Sequence, residues 1–215
     1  IAFDMDSTLI NIECIDEIAD AAGRKAEVAA ITEAAMLGEI TDFKDSLRRR
    51  LALLEGVSVA SMEAVYAERL QINPGAKELI DTCKAAGLKV LLVSGGFTFF
   101  ADRVKDRLAI DFARSNLLEI QDGKLTGRLI TQAWGEICDG EEKRRTVLAT
   151  CKELGITPKQ AIAMGDGAND LPMMKLCEDA GGLSVAYHAK PKVRAQAMVA
   201  INSGGLDRLL ELMTD

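Results

Sequence analysis

The sequence is poor in aromatic residues, in proline and above all in histidine. Aromatic residues make up 4% of its 215 residues, so its core must be mainly aliphatic. The single histidine, His188, excludes metal sites with several histidine ligands and argues against a Ser-His-Asp triad. No signal peptide and no apolar run of membrane-spanning length is visible, so we expect no membrane partner. We interpret His188 as a structural residue.

The five cysteines include no CxxC pair, and their number is odd. This pattern argues against a zinc site or a disulfide framework and favours a reducing, cytoplasmic location. We interpret the cysteines as small core residues, including Cys14.

Acidic residues outnumber basic residues, and the formal net charge of -7 with a pI near 4.9 argues against nucleic acid as a partner. The same charge repels phosphorylated molecules, so a phosphate site would need local cations or a metal.

The 48% hydrophobic and 27% charged composition is typical of a globular protein. The length fits one domain with a smaller insertion, and we expect a monomer or homodimer.

Short apolar runs alternate with helical patterns over much of the chain. KVLLVSGG, AIAMGDG and LSVAY are typical of buried strands, and Gly87 and Gly155 end the predicted helices between them. This alternation predicts an α/β fold with a doubly wound, Rossmann-like parallel sheet. Functional sites in such sheets form beyond the carboxyl ends of the strands.

Two segments interrupt the alternation. Residues 15–73 have a helical pattern throughout, which predicts an inserted helical cap between core segments 1–14 and 74–215. Asp122-Gly123 lies between two extended segments and predicts a small β-hairpin.

The first motif, FDMDSTL, follows the predicted first strand. Alternate residues of a strand face the same side, so Asp4 and Asp6 could address one substrate, one attacking while the other moves protons. The alternative is helix capping, and we assign a capping or turn role to Ser7 and Thr8 in either case.

The second motif, GDGAND, follows the strand AIAM. Its oxygen-bearing side chains suit Mg²⁺, with Asp166 as a ligand and Asp170 as a ligand or an orienting residue. As the alternative, Asn169 or Asp170 caps the next helix.

Two further features belong to the same predicted edge. Ser94 and Gly95, in VSGGFT, could cradle a phosphate or form only a turn. Lys143 shares a helical stripe with Val147 and Cys151, and this periodicity leaves an inward position and an exposed one equally open.

In the predicted cap, Arg50 lies on the apolar stripe of Leu47 and Leu51 and therefore needs a partner. A substrate carboxylate, an internal salt bridge or an extended aliphatic stem would each satisfy it.

DMDST, SGG, the lysine at 143 and GDGAND stand in the order and spacing of the haloacid-dehalogenase-like phosphatases, and the chain resembles that family. ECIDEIA, SLRRRLALL and YHAKP extend the resemblance to its phosphoserine-hydrolysing members over essentially the whole chain. The resemblance implies conversion of O-phosphoserine to serine, the last step of serine biosynthesis, through an aspartyl-phosphate.

By the same resemblance, Asp4 is the nucleophile and Asp6 the proton donor and acceptor. Mg²⁺ would lie among Asp4, Asp166 and the carbonyl of Asp6. The implied substrate-binding residues are Glu13 (for the ammonium), Arg50 (for the carboxylate), Met36, Phe43, Ser94, Gly95, Lys143 and Asn169. Without the resemblance, Glu13 is an ordinary first-turn acid, and Met36 and Phe43 are ordinary core residues.

Two alternatives remain at this point. The first is a capped phosphatase or phosphotransferase for another small phosphorylated amine or alcohol, which would not need both Glu13 and Arg50. The second is a non-catalytic, receiver-like Mg²⁺-binding module, for which Asp6 and the cap have no evident use.

Overall fold

The computed structural model describes residues 1–36 and 40–213, with only the backbone at 35 and 36. The strands are β1 (Ala2–Phe3), β2 (Leu91–Phe97), β3 (Phe112–Gln121), β4 (Lys124–Ile130), β5 (Ile162–Gly165), β6 (Leu183–Tyr187) and β7 (Val199–Ile201). The helices are α1 (Cys14–Ala21), α2 (Lys25–Met36), α3 (Phe43–Ala52), α4 (Val59–Glu68), α5 (Ala76–Ala85), α6 (Thr98–Arg107), α7 (Gly140–Glu153), α8 (Leu171–Asp179) and α9 (Pro191–Arg194).

The strands form one sheet in the order β4-β3-β2-β1-β5-β6-β7. All neighbouring strands are parallel except β3 and β4, which form the predicted hairpin. Its turn residues Asp122 and Gly123 have φ angles of 50° and 72°, as a tight two-residue hairpin turn requires. The predicted α/β fold class is confirmed.

The sheet is buried on both faces. Ala2 and Leu91 belong to one apolar cluster, together with side chains of α7 and α8. Their sequence neighbours Phe3 and Leu92 belong to a second cluster, which includes side chains of α1, α5 and α6. The period-2 alternation of strands therefore explains why these strands are apolar at consecutive positions.

The segment between β1 and α5 is helical, as predicted: among its described residues, α1 to α4 are present and no strand is. Asn73 closes this segment, because its side-chain amide donates to the carbonyl oxygens of Thr8 (2.8 Å) and Ile10 (3.0 Å). The end of this helical segment therefore lies beside its beginning. The division into a core and a cap stays a prediction.

Among the described residues, no helix has both the length and the apolar character needed to cross a membrane.

Candidate active site

A cavity of about 470 Å³ opens beyond the carboxyl ends of β1, β2 and β5. The parallel strands bring residues from distant parts of the sequence to this edge, as the sheet topology predicts. The predicted site residues that line the cavity are Asp4, Asp6, Glu13, Phe43, Arg50, Ser94, Gly95, Asp166 and Asn169.

Asp4 and Asp6 reach the cavity by a different route from the predicted one. β1 ends at Phe3, and residues Met5–Leu9 form an irregular turn in which Asp6 and Ser7 have non-helical backbone angles, with a φ of 57° at Ser7. The strand-alternation argument for the two aspartates is therefore wrong. The turn still directs both side chains into the cavity.

Lys143 lies behind the cavity wall and is completely buried. Its ammonium nitrogen is 2.6 Å from Asp4 Oδ1 and 2.6 Å from Asp170 Oδ1. Burial lowers the pKa of Lys143, but the charges of Asp170 and Asp4 outweigh that effect and raise it. Of the two positions that the stripe on α7 left open, the structure shows the inward one, and the lysine remains a cation.

Asp170 supports the loop after β5. Its Oδ2 accepts from the backbone amides of Asp166 (3.1 Å) and Gly167 (3.0 Å), and no side-chain hydrogen bond to the first turn of α8 is present among the described residues. Gly165 allows this approach, because a β-carbon there would overlap the Asp170 carboxyl group. With both oxygens engaged, Asp170 has the geometry of an orienting residue rather than a helix cap.

Three buried carboxyl groups lie together at this point, with Lys143 as their buried cation and Lys190 at the cavity wall. Asp4, Asp166 and Asp170 each offer an oxygen within 4.8 Å of the others. Burial, and then the charge of Asp170, raises the pKa of Asp166 to about 7 and raises that of Asp4 as well. Two ammonium groups cannot neutralise three carboxylates, so the donor set fits a hard cation with oxygen ligands.

Ser94 and the two glycines after it form an irregular part of β2. The strand continues to Phe97 with a break in register after Val93, so it does not end at Ser94. Ser94 Oγ accepts from the Gly96 amide at 2.8 Å, which leaves its hydrogen available to a ligand. The buried Asn116 side chain holds this segment by donating to the Gly95 carbonyl at 2.7 Å.

Arg50 lies on the opposite side of the cavity, in α3. Its Nε atom is buried and has no hydrogen-bond partner among the described residues. Burial lowers the pKa of the guanidinium, and the charges of Asp16 and Glu13 oppose that shift. Because no described acid pairs with Arg50 directly, the internal salt bridge is not found, and an incoming anion would meet an unsatisfied donor.

The start of α1 contacts the turn after β1 at two points. Ser7 Oγ donates to Glu13 at 2.6 Å, so Ser7 orients an acid at the cavity rather than capping a helix. Cys14 contacts Asp6 through both its amide and its thiol, so it is more than a small core residue. Burial, followed by the charge of Glu13, raises the pKa of Asp6 to about 7.

A model of the haloacid dehalogenase-like hydrolase family matches residues 1–175. The chain belongs to the haloacid dehalogenase-like hydrolases.

Curated members of this family are similar over the whole chain. Phosphoserine phosphatase of Polaromonas sp. is 74% identical over 213 residues, which cover 99% of this chain and 89% of that protein. Phosphoserine phosphatase of Idiomarina loihiensis is 47% identical over 210 residues, covering 98% of this chain and 91% of that one.

Solved structures of the family agree with the fold. A phospho-aspartyl intermediate analogue of phosphoserine phosphatase has a TM-score of 0.87 at 38% identity, covering 98% of this chain and 96% of that chain. A substrate-bound phosphoserine phosphatase complex has a TM-score of 0.87 at 37% identity, with the same coverage.

Most residues predicted for the site of this hydrolase lie together. The side chains of Lys143 and Asp170 stand directly behind the cavity wall, in contact with Asp4 or Asp166. Met36 is the exception, because its side chain lies outside the described residues. His188 Nε2 donates to the Gly204 carbonyl oxygen (2.9 Å), in keeping with its structural interpretation.

Sequence reasoning missed several residues of the site. Asp16, Thr32 and Lys190 line the cavity, and Oδ1 of Asp16 is buried without a partner among the described residues. Asp16 follows an ordinary pattern of acids in a first helical turn, which carries no signal for a site. Asn116 offered one signal, since it is a polar residue within an apolar strand pattern.

The acidic cluster predicts a coupling between pH, cation binding and stability. Asp166 has a pKa near 7 in the folded protein against an ordinary 3.8, so its contribution to the free energy of unfolding falls as pH rises from about 4 to about 7. The gain in stability from MgCl₂ should rise over the same range, reaching about 2.7 kcal/mol at roughly 100 times the dissociation constant.

Thermal unfolding of the wild type and of Asp166→Asn, each with and without MgCl₂ between pH 5 and pH 8, measures this coupling. Asp81→Asn, at an exposed residue of α5, is the matched control and should respond to MgCl₂ like the wild type. An equal MgCl₂ shift in Asp166→Asn and the wild type would contradict the assignment of Asp166.

Proposed function

We propose that this protein is a Mg²⁺-dependent phosphoserine phosphatase that hydrolyses O-phosphoserine to serine and inorganic phosphate. The observation that carries the proposal is a cavity with Arg50 on one side, whose buried Nε has no hydrogen-bond partner among the described residues, and Asp4 on the other, backed by Lys143. A short zwitterionic phosphomonoester has a carboxylate for Arg50 and a phosphoryl group for Asp4 and Lys143. The relatives named phosphoserine phosphatase support the same substrate.

Asp4 is the nucleophile in this proposal. Its carboxylate forms a bond to phosphorus while the bond from phosphorus to the serine oxygen breaks, and Asp6 gives its proton to that oxygen. Asp6 then takes a proton from water as the water oxygen bonds to phosphorus and the bond to Asp4 breaks. A pKa of about 7 for Asp6 suits both steps near neutral pH.

The phosphoryl oxygens need donors that are already in place, because phosphoryl transfer depends on positioning and on charge stabilisation. Ser94 Oγ, the amide of Gly95 and the Lys143 ammonium supply these donors, with the side chain of Asn169 beside them. Asn116 keeps the Gly95 peptide oriented, since it bonds to the Gly95 carbonyl and accepts from the Cys138 amide at 2.7 Å.

The side chains of Asp4 and Asp166 and the carbonyl of Asp6 would hold Mg²⁺, with Asp170 orienting the Asp166 loop. When bound, the ion supplies positive charge that offsets the approach of an anionic phosphate to an anionic nucleophile. The excess of carboxyl groups over lysine at this site supports that assignment.

The amino-acid part of the substrate lies toward the helices between β1 and α5. Arg50 binds its carboxylate, Glu13 binds its ammonium, and Phe43 covers its carbon atoms. Glu13 is held for this role by Ser7, at 2.6 Å. A zwitterion needs both Arg50 and Glu13, whereas another phosphorylated amine or alcohol does not, which disfavours that alternative.

Residues 15–73 act as a cap over a core formed by residues 1–14 and 74–215. Thr32, Phe43 and Arg50 from this segment line the cavity opposite the strand ends, which supports that role. Membership of a hydrolase family argues against the receiver-like alternative. The cytoplasmic location stays a proposal, supported by five buried, unpaired cysteines.

A steady-state panel tests the substrate directly. With MgCl₂ present, kcat/KM for phosphoserine should exceed that for phosphoethanolamine and sugar phosphates, because they lack one or both of the groups for Arg50 and Glu13. It should also exceed that for phosphothreonine, which has both groups but adds a methyl group that the cavity must accommodate. Phosphate release is the measurement. A preference for phosphoethanolamine or a sugar phosphate would reject phosphoserine as the substrate.

Asp4→Asn should lower phosphoserine turnover by at least about 1,000-fold, since it removes the nucleophile of a covalent mechanism. Phosphate release and mass spectrometry of acid-quenched protein measure turnover and the phosphoryl adduct. Asp122→Asn, in the exposed hairpin turn, is the control and should match the wild type. Substantial turnover by Asp4→Asn, or an adduct on another residue, would remove the covalent role of Asp4.

Arg50→Ala should lower kcat/KM for phosphoserine by about 30-fold or more, since losing one partner of a buried charge pair costs about 2–5 kcal/mol. Hydrolysis of p-nitrophenyl phosphate, which has no carboxylate, should change little. Arg49→Ala on the same helix is the matched control, because Arg49 is exposed and pairs with Asp45 at 2.8 Å. Equal losses on both substrates would make Arg50 a structural residue.

A further inference from the structure

Cys14 presents both of its hydrogen-bond donors to Asp6. It is the first residue of α1 and is completely buried. Its thiol sulfur is 3.1 Å from Asp6 Oδ1, and its backbone nitrogen is 3.3 Å from Asp6 Oδ2. The two contacts address the two oxygens separately, so they fix the plane of the carboxyl group as well as its position.

These are the hydrogen bonds found for the Asp6 carboxyl group within residues 1–36 and 40–213. Lys143, which anchors the neighbouring Asp4, makes none to Asp6 in that part of the chain. Cys14 is also unlike the other cysteines, since no thiol of Cys83, Cys138, Cys151 or Cys177 donates to a described carboxylate. The thiol contact is therefore specific to this position.

We propose that Cys14 is a positioning residue that holds Asp6 in the orientation needed for proton transfer. The inference rests on the proposed function, in which Asp6 protonates the leaving oxygen and later deprotonates water. Proton transfer requires the two heavy atoms to be about 2.6–3.2 Å apart. A carboxyl group free to rotate about χ1 and χ2 would satisfy this distance for only part of the time.

The contacts with Cys14 give the Asp6 carboxyl group a defined direction. Asp6 Oδ2 lies toward the phosphate-binding segment, because a β-carbon on Gly96 would be only 3.2 Å from it. Cys14 thus directs the carboxyl group at the position that the leaving oxygen occupies in the first step and the attacking water occupies in the second. Cys14 itself forms no bond to substrate and exchanges no proton in either step.

Two substrates separate this role from a structural one. The serine oxygen needs a proton from Asp6 to leave, whereas p-nitrophenolate is stable and leaves without one. Hydrolysis of the aspartyl-phosphate needs Asp6 with both substrates. A misoriented Asp6 therefore slows both steps for phosphoserine, but only the second step for p-nitrophenyl phosphate.

Cys14→Ala should lower kcat for phosphoserine about tenfold and leave KM within about twofold, since it removes part of a general acid–base effect of about 100-fold or more. With p-nitrophenyl phosphate it should release one equivalent of nitrophenolate per site at the wild-type rate, followed by slower turnover. Cys14→Ser keeps a donor and should recover most of kcat. Cys83→Ala, at a buried cysteine of α5, should behave like the wild type.

Stopped-flow absorbance and steady-state phosphate release measure these quantities, with thermal unfolding as a check on folding. Wild-type kcat in Cys14→Ala, parallel losses in the nitrophenolate burst and the steady state, or no recovery in Cys14→Ser would each overturn the inference while leaving the proposed function intact. A wild-type protein that does not hydrolyse phosphoserine would overturn both.

Discussion

The buried ammonium of Lys143 is the interaction on which the site depends. It joins the end of β1, through Asp4, to the loop after β5, through Asp170, and each contact is 2.6 Å long. An unpaired ammonium buried at this position would be strongly disfavoured, and so would the buried carboxylates without the ammonium. The three groups are therefore stable only together, and α7 must present its inward face to the carboxyl edge of the sheet.

That constraint extends into the backbone through Asp170. Because its Oδ1 is taken by Lys143, its Oδ2 is directed at the amides of Asp166 and Gly167. The approach requires Gly165 to lack a side chain. The GDGAND motif consequently fixes its own backbone at Asp166 and Gly167, and Gly165 serves close packing.

Much of this arrangement follows from the sequence, and the remainder depends on distant contacts. Apolar runs located β2, β5 and β6, and the rule for parallel sheets placed Asp166 beside the first motif. The helical stripe of Lys143 did not by itself decide between an inward and an exposed position. The turn after β1 could not be predicted from period-2 spacing, because it is an irregular turn with a positive φ at Ser7. Likewise, burial raises the pKa of Asp16 and the charge of Arg50 opposes that shift, although no sequence pattern relates the two residues.

The start of α1 holds two residues of the cavity in a fixed relation to the turn after β1. Glu13 and Cys14 are consecutive residues, and each is bonded to that turn, at Ser7 and Asp6 respectively. In the proposed function, a shift of α1 would move the acid for the substrate ammonium together with the residue that orients Asp6. A ligand that positions Glu13 would then also stabilise the reactive geometry of Asp6, so binding energy from a group remote from phosphorus would contribute to the chemical step.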